Sequence, residues 1–95
     1  MAAANEQLRA ARERTASLTS PDVCLSRQEL AELVNAWVWE HYDKKVVEAS
    51  ANWIGQLERG KIRWPGKIYR EALRAILGVS TDAALGFVNT RRAVV

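Results

Sequence analysis

Apolar positions recur along this chain at helical spacing in separate blocks, with capping residues at the block edges. Leu30, Leu33, Val34, Trp37 and His41 follow the i, i+3, i+4, i+7 rhythm of one helix face. Ahead of them S-R-Q-E forms a capping box, in which Ser26 caps and Glu29 reaches back. The pattern predicts a helix over 26–42, with Trp37 in the core and Trp39 off the stripe. A second block, 50–59, begins at Ser50 as N-cap, carries Ile54 and Leu57 on an apolar stripe with Val47 and Ala51, and stops at Gly60. A third, 65–77, buries Ile68, Ala72, Leu73, Ile76 and Leu77. Pro65 suits its first turn, Trp64 staples its start, and Gly78 ends it.

Two weaker blocks flank these. Asn5 caps a helix over 5–14 with Leu8 and Ala11 inward, and Glu6 suits its first turn. Ser80 or Thr81 caps a helix over 81–88, with Asp82 near its positive end and Leu85 and either Phe87 or Val88 inward. The expectation is therefore an all-α, five-helix domain spanning 1–95. Between the helices, 15–25 (T-A-S-L-T-S-P-D-V-C-L) reads as a loop that Leu18, Val23 and Leu25 pin to the body. Residues 43–48 (D-K-K-V-V-E) read as an insertion, either a loop or a short extended excursion, since paired valines favour extended backbone.

Ninety-five residues make one small domain with one core. No apolar run reaches the ~18 residues of a membrane span, so no membrane partner is expected. The opening M-A-A-A-N-E-Q lacks the basic and apolar regions of a secretory signal. The single Cys24 allows no internal disulfide, which fits a reducing cytoplasm, and reads as a half-buried apolar filler. One cysteine and one histidine do not make a zinc site. Net charge is +3, but residues 59–95 hold eight Lys/Arg (Arg59, Lys61, Arg63, Lys67, Arg70, Arg74, Arg91, Arg92) against two acids. Residues 1–58 hold six against nine. A basic half suits a polyanion, although solvated helix faces give the same imbalance.

The sequence offers no catalytic set. The carboxylates are scattered singly, and His41 has no nucleophile beside it and reads as a packed or capping residue. Gly55 to Ile62, G-Q-L-E-R-G-K-I, nearly spells a phosphate loop, but Ile62 stands where a Mg²⁺-binding hydroxyl belongs and the preceding segment has a helical pattern. No enzyme activity, cofactor or metal is expected.

The informative stretch is 49–61, A-S-A-N-W-I-G-Q-L-E-R-G-K. It has one face to bury, one face of amides (Asn52, Gln56) and a basic exit, which suits a helix in the major groove of DNA. I-x-x-L-E-R-G-K, preceded by L-S-R-Q-E-L-A, resembles the lambda-repressor-like (XRE-type) helix-turn-helix domains of bacterial transcription regulators, over roughly residues 8–88. The chain departs from that pattern in the turn, which is usually about 3–4 residues, whereas Ala31 and Ile54 are spaced far more widely.

The resemblance implies sequence-specific binding of double-stranded DNA, hence transcription regulation, in the cytoplasm at the nucleoid. It makes 50–59 the recognition helix. Asn52, Gln56, Ala51 and Gly55 then form the base-reading set, with Gly55 giving the backbone room to approach. Ser50, Arg27, Arg59, Lys61 and Arg63 hold phosphates, and Lys44 and Lys45 serve either as a phosphate-touching wing or as plain loop residues. A homodimer is left open. The R-R-A-V-V ending carries no closing element, and many relatives of this type continue into a C-terminal sensing domain. Two other readings stand beside this one. A protein-interaction module would present Trp39, Trp53 and Trp64 as one exposed patch. A single-strand binder would interleave exposed aromatics with basic residues, for which Trp64 between Arg63 and Lys67 is the local hint.

Overall fold

Residues 3–89 are described in a computed structural model of the chain. Arg91 and Arg92, counted above in the basic half, lie outside them. The described residues form four α-helices and no strand: α1 Glu6–Glu13, α2 Arg27–His41, α3 Ala51–Glu58 and α4 Lys67–Leu77. The expected fifth helix is only a 3-10 turn, Ala83–Leu85. Neither Ser80 nor Thr81 is its cap, which is Asp82; Thr81 stands one residue earlier, where its Oγ1 accepts from the Ala84 N–H at 3.1 Å. Gly86 then takes a left-handed φ of 73° and stops it after one turn. Phe87, not Val88, turns inward; Val88 is exposed.

The caps set the helix boundaries. Asn5 Oδ1 accepts from Leu8 N at 3.1 Å, Ser26 and Glu29 complete the capping box, and Ser50 Oγ accepts from Trp53 N at 3.1 Å. Gly60 and Gly78 both adopt positive φ just past their helices. Pro65 falls short of the expected first turn of α4. It is buried ahead of the N-cap Gly66, and its carbonyl accepts from Arg70 Nε at 2.9 Å.

The core gathers Leu8 and Ala11 of α1, Leu30, Ala31, Val34 and Val38 of α2, Ile54 and Leu57 of α3, and Ala72, Leu73 and Leu77 of α4. Leu25, Leu85 and Phe87 close it. The buried stripe of α2 is therefore rotated from the expected one. Val38 is fully buried, Leu33 and Trp37 are half-buried at the edge, and His41 is exposed. His41 stacks on Trp37 at 4.1 Å between ring centroids, its Nδ1 2.9 Å from the Trp37 carbonyl oxygen.

Residues 15–25 are more ordered than a loop of turn-forming residues suggests. Ala16 and Cys24 form an isolated antiparallel bridge, and Leu25 N donates to Thr15 O at 2.8 Å. Of the three apolar residues expected to pin the segment only Leu25 is buried, while Leu18 and Val23 are exposed; the buried Ser17 adds a polar anchor, its Oγ donating to Glu29 Oε2 at 2.7 Å. The 43–48 segment is a loop without strand pairing. Asp43 and Lys44 take left-handed φ values of 50° and 62° at its start. The connection is held by Asn35 of α2, whose amide donates to Ala49 O at 3.0 Å and accepts from Ala49 N at 2.8 Å. One side chain thus makes both hydrogen bonds of a strand pair and fixes where α3 begins.

Candidate nucleic-acid interface

α3 packs its Ile54 and Leu57 face on α2 and leaves the opposite side open. An open groove of about 550 Å³ runs between the start of α2 and α3, lined by Arg12, Ser26, Arg27, Ala51, Asn52, Gly55 and Arg59. Five of the residues singled out from the sequence, Arg27, Ala51, Asn52, Gly55 and Arg59, therefore share one surface. Asn52 is exposed on the first turn and Ala51 is half-buried beside it. Gln56 is half-buried outside the groove, its carbonyl accepting from Lys61 N at 3.0 Å. Ser50 Oγ is engaged in capping.

Gly55 is buried, and the reason is local. A Cβ built on it would lie 3.0 Å from Arg59 Nη1 and 3.7 Å from Cζ, so the guanidinium lies across the glycine. A base edge approaching at that point meets the arginine, not the glycine backbone. Lys61 and Arg63 are exposed beyond Gly60 but do not line the groove. Lys44 and Lys45 are also exposed, on the turn after α2, and are not brought to it either.

The floor of the groove is an ion cluster that the sequence reading missed. Arg12 and Glu58 are both buried, with Arg12 Nε 2.6 Å from Glu58 Oε2 and Nη2 3.2 Å from Oε1. Arg12 Nη1 also donates to Leu25 O at 2.9 Å, and Arg27 Nε donates to Glu58 Oε1 at 3.0 Å. Burial alone would push the Glu58 carboxyl up; the hydrogen bonds from Arg12 and Arg27 outweigh it and hold the pKa below the ordinary range. Those to Glu58 likewise raise the Arg12 pKa. The sequence signals one half of this cluster: Arg12 stands four residues after Leu8, on the buried face of α1, but nothing local marks Glu58 as its partner.

Charge elsewhere is partly consumed. Arg70 Nη1 lies 2.7 Å from Asp82 Oδ2 and Arg74 Nε 3.1 Å from Asp82 Oδ1. Of the basic half, Arg59, Lys61, Arg63 and Lys67 make no ion pair among the described residues. The tryptophans are also largely engaged. Trp53 packs against Tyr69 at 4.9 Å between centroids, and the Arg70 guanidinium sits 3.9 Å over the Trp64 ring. Trp39 is 46 % exposed, whereas Trp53 and Trp64 are half-buried against the core, which gives the interaction-patch reading little to stand on. Among the described residues no cluster of His, Cys, Asp and Glu is placed to hold a metal, and no helix is long and apolar enough to cross a membrane.

Compared with models of protein families, with curated proteins and with solved structures, the chain gives no match.

Proposed function

We propose that this domain binds double-stranded DNA sequence-specifically, with α3 in the major groove, and acts in bacterial transcription regulation. The observation that supports the reading best is the groove at the open side of α3. It joins an exposed amide, Asn52, to the arginines Arg27 and Arg59 on one surface. An amide donates and accepts at once and so matches the adenine edge, while arginines suit phosphates and guanine. On this reading Asn52 and Gln56 read bases, and Arg27, Lys61 and Arg63 neutralise phosphates, with Ser50 at the start of α3. The lambda-repressor-like (XRE-type) resemblance, the long connection as an insertion, a homodimer on a two-fold site, a nucleoid location and a C-terminal sensing domain belong to the same proposal.

Selection of bound sites from a random duplex pool tests it, followed by affinity measurements at several salt concentrations. A preferred site should emerge. Asn52→Ala and Gln56→Ala should each lose ~1–3 kcal/mol on that site and relax preference at different base pairs. Binding to random duplex should hardly change, because phosphate contacts supply most of it. Equal losses on both kinds of DNA would remove these residues from base readout. No duplex binding at all would end the reading.

A further inference from the structure

Arg59 was expected at a phosphate because it stands at the basic exit of α3. Its side chain does not extend outward from that end. It folds back along the helix over Gly55, with Nη1 3.0 Å and Nη2 3.9 Å from where a glycine Cβ would be. Helical side chains lean toward the N-terminus, and this one carries its fork toward Asn52, by roughly one turn of ~5 Å. The path is open because Ala51 and Gly55, one turn apart on the same face, have almost no side chain. The guanidinium lines the same groove as Asn52 and makes no hydrogen bond or ion pair among the described residues. Arg27, by contrast, is tied to Glu58 at the start of α2.

We infer that Arg59 is a specificity-determining residue that reads a guanine, taking the place on α3 that Ala51 and Gly55 leave empty. The inference rests on the DNA-binding reading above. A planar guanidinium donates two parallel hydrogen bonds to guanine O6 and N7. Gly55 is the licence for this role: it holds open the track along which the arginine lies. The base pair concerned is adjacent to the one read by Asn52.

Three variants test it in the selection assay. Arg59→Ala should lose about 5- to 100-fold on the preferred site, with the loss confined to one G·C pair beside the Asn52 position. Arg59→Lys keeps a charge but not the fork, and should lose the same preference while random-duplex affinity and salt dependence hold. Gly55→Ala should push the guanidinium off its track and relax the same G·C pair, although Arg59 itself is intact and the helix is not weakened. The inference is overturned if Arg59→Ala weakens all duplexes alike with a salt slope shallower by ~0.9, the mark of a lost phosphate contact. It is also overturned if Arg59→Lys or Gly55→Ala leaves the preference unchanged. If the wild-type chain selects a site and these variants fail, only the role of Arg59 falls; if the wild type selects none, the DNA-binding reading falls with it.

Discussion

Replacing Glu58 by Gln removes one charge and almost no volume from the most buried polar cluster of the domain. Glu58 is 4 % exposed and Arg12 8 %. The wild-type carboxylate uses both oxygens, Oε2 for Arg12 Nε, and Oε1 for Arg12 Nη2 and Arg27 Nε. A glutamine amide offers one oxygen, and its NH₂ would point a donor at an arginine donor. Removing one member of a buried pair typically costs ~3–5 kcal/mol, because the other charge is left uncompensated. Arg12 keeps its bond to the Leu25 carbonyl, and Arg27 is half-exposed and can turn to water. These place Glu58→Gln near the lower figure, ~3 kcal/mol, which in a domain of this size lowers Tm by about 12–24 °C.

Urea melts followed by far-UV circular dichroism measure that loss directly, and their pH dependence gives a second, independent readout. The folded pKa of Glu58 lies below its ordinary range. Its contribution to stability is therefore complete above the unfolded carboxyl pKa of about 4.3 and disappears as pH falls through the lower folded value. The acid limb of the wild-type stability curve should be steeper than that of Glu58→Gln, and the two curves should converge at low pH. A loss below ~0.5 kcal/mol at pH 7, with parallel acid limbs, would mean that the pair is solvated and that the floor of the groove is not what holds α1 to α3.

Two further substitutions probe how α3 and α1 are fixed. Asn35→Ala removes both hydrogen bonds to Ala49 and should cost ~1–3 kcal/mol, with faster amide hydrogen exchange at Ala49 and in the first turn of α3; unchanged exchange there would show that the connection is held by other contacts. Gly86→Ala should cost about 2–3 kcal/mol by thermal melt, from the left-handed backbone and a displaced Asn5 cap, since its Cβ would lie 2.2 Å from Asn5 Oδ1; a neutral effect would mean that the 3-10 turn does not grip α1.

The helix starts and stops were readable because each has a local chemical cause. Asn5, Ser26 with Glu29, Ser50, Gly60 and Gly78 all do in space what their side chains or lack of one suggest. What could not be read was set by partners distant in sequence. Periodicity placed His41 on the inner stripe of α2, but packing against α3 and α4 chose the line through Ala31 and Val38. Leu18 and Val23 are apolar and still exposed, in the segment that the Ala16–Cys24 bridge closes. Glu58 reads locally as a surface acid, and only the fold brings Arg12 and Arg27 to it. Within the candidate interface, Asn52 was reachable by spacing and Arg27 only through the family resemblance, whereas the path of Arg59 over Gly55 depends on a rotamer that no sequence rule fixes.

Asn5 joins regions eighty residues apart. Besides capping α1, its amide donates to the Leu85 carbonyl at 2.9 Å, and its backbone N–H donates to the Glu58 carbonyl at 2.7 Å. Gln7 reaches the Ala83 carbonyl at 3.2 Å. On a ribosome, where the chain emerges from its N-terminus, α1 therefore waits for nearly the whole domain before its seat exists. Its own apolar face, Leu8 and Ala11, is too thin to hold a short helix in water. α2 packs on both α3 and α4, over shorter sequence separations than the one between α1 and the 3-10 turn, and these helices can assemble first. Within this domain α1 is then the last helix to be secured, although it is made before the segments it docks on, and the Arg12–Glu58 contact under the groove closes only when it docks.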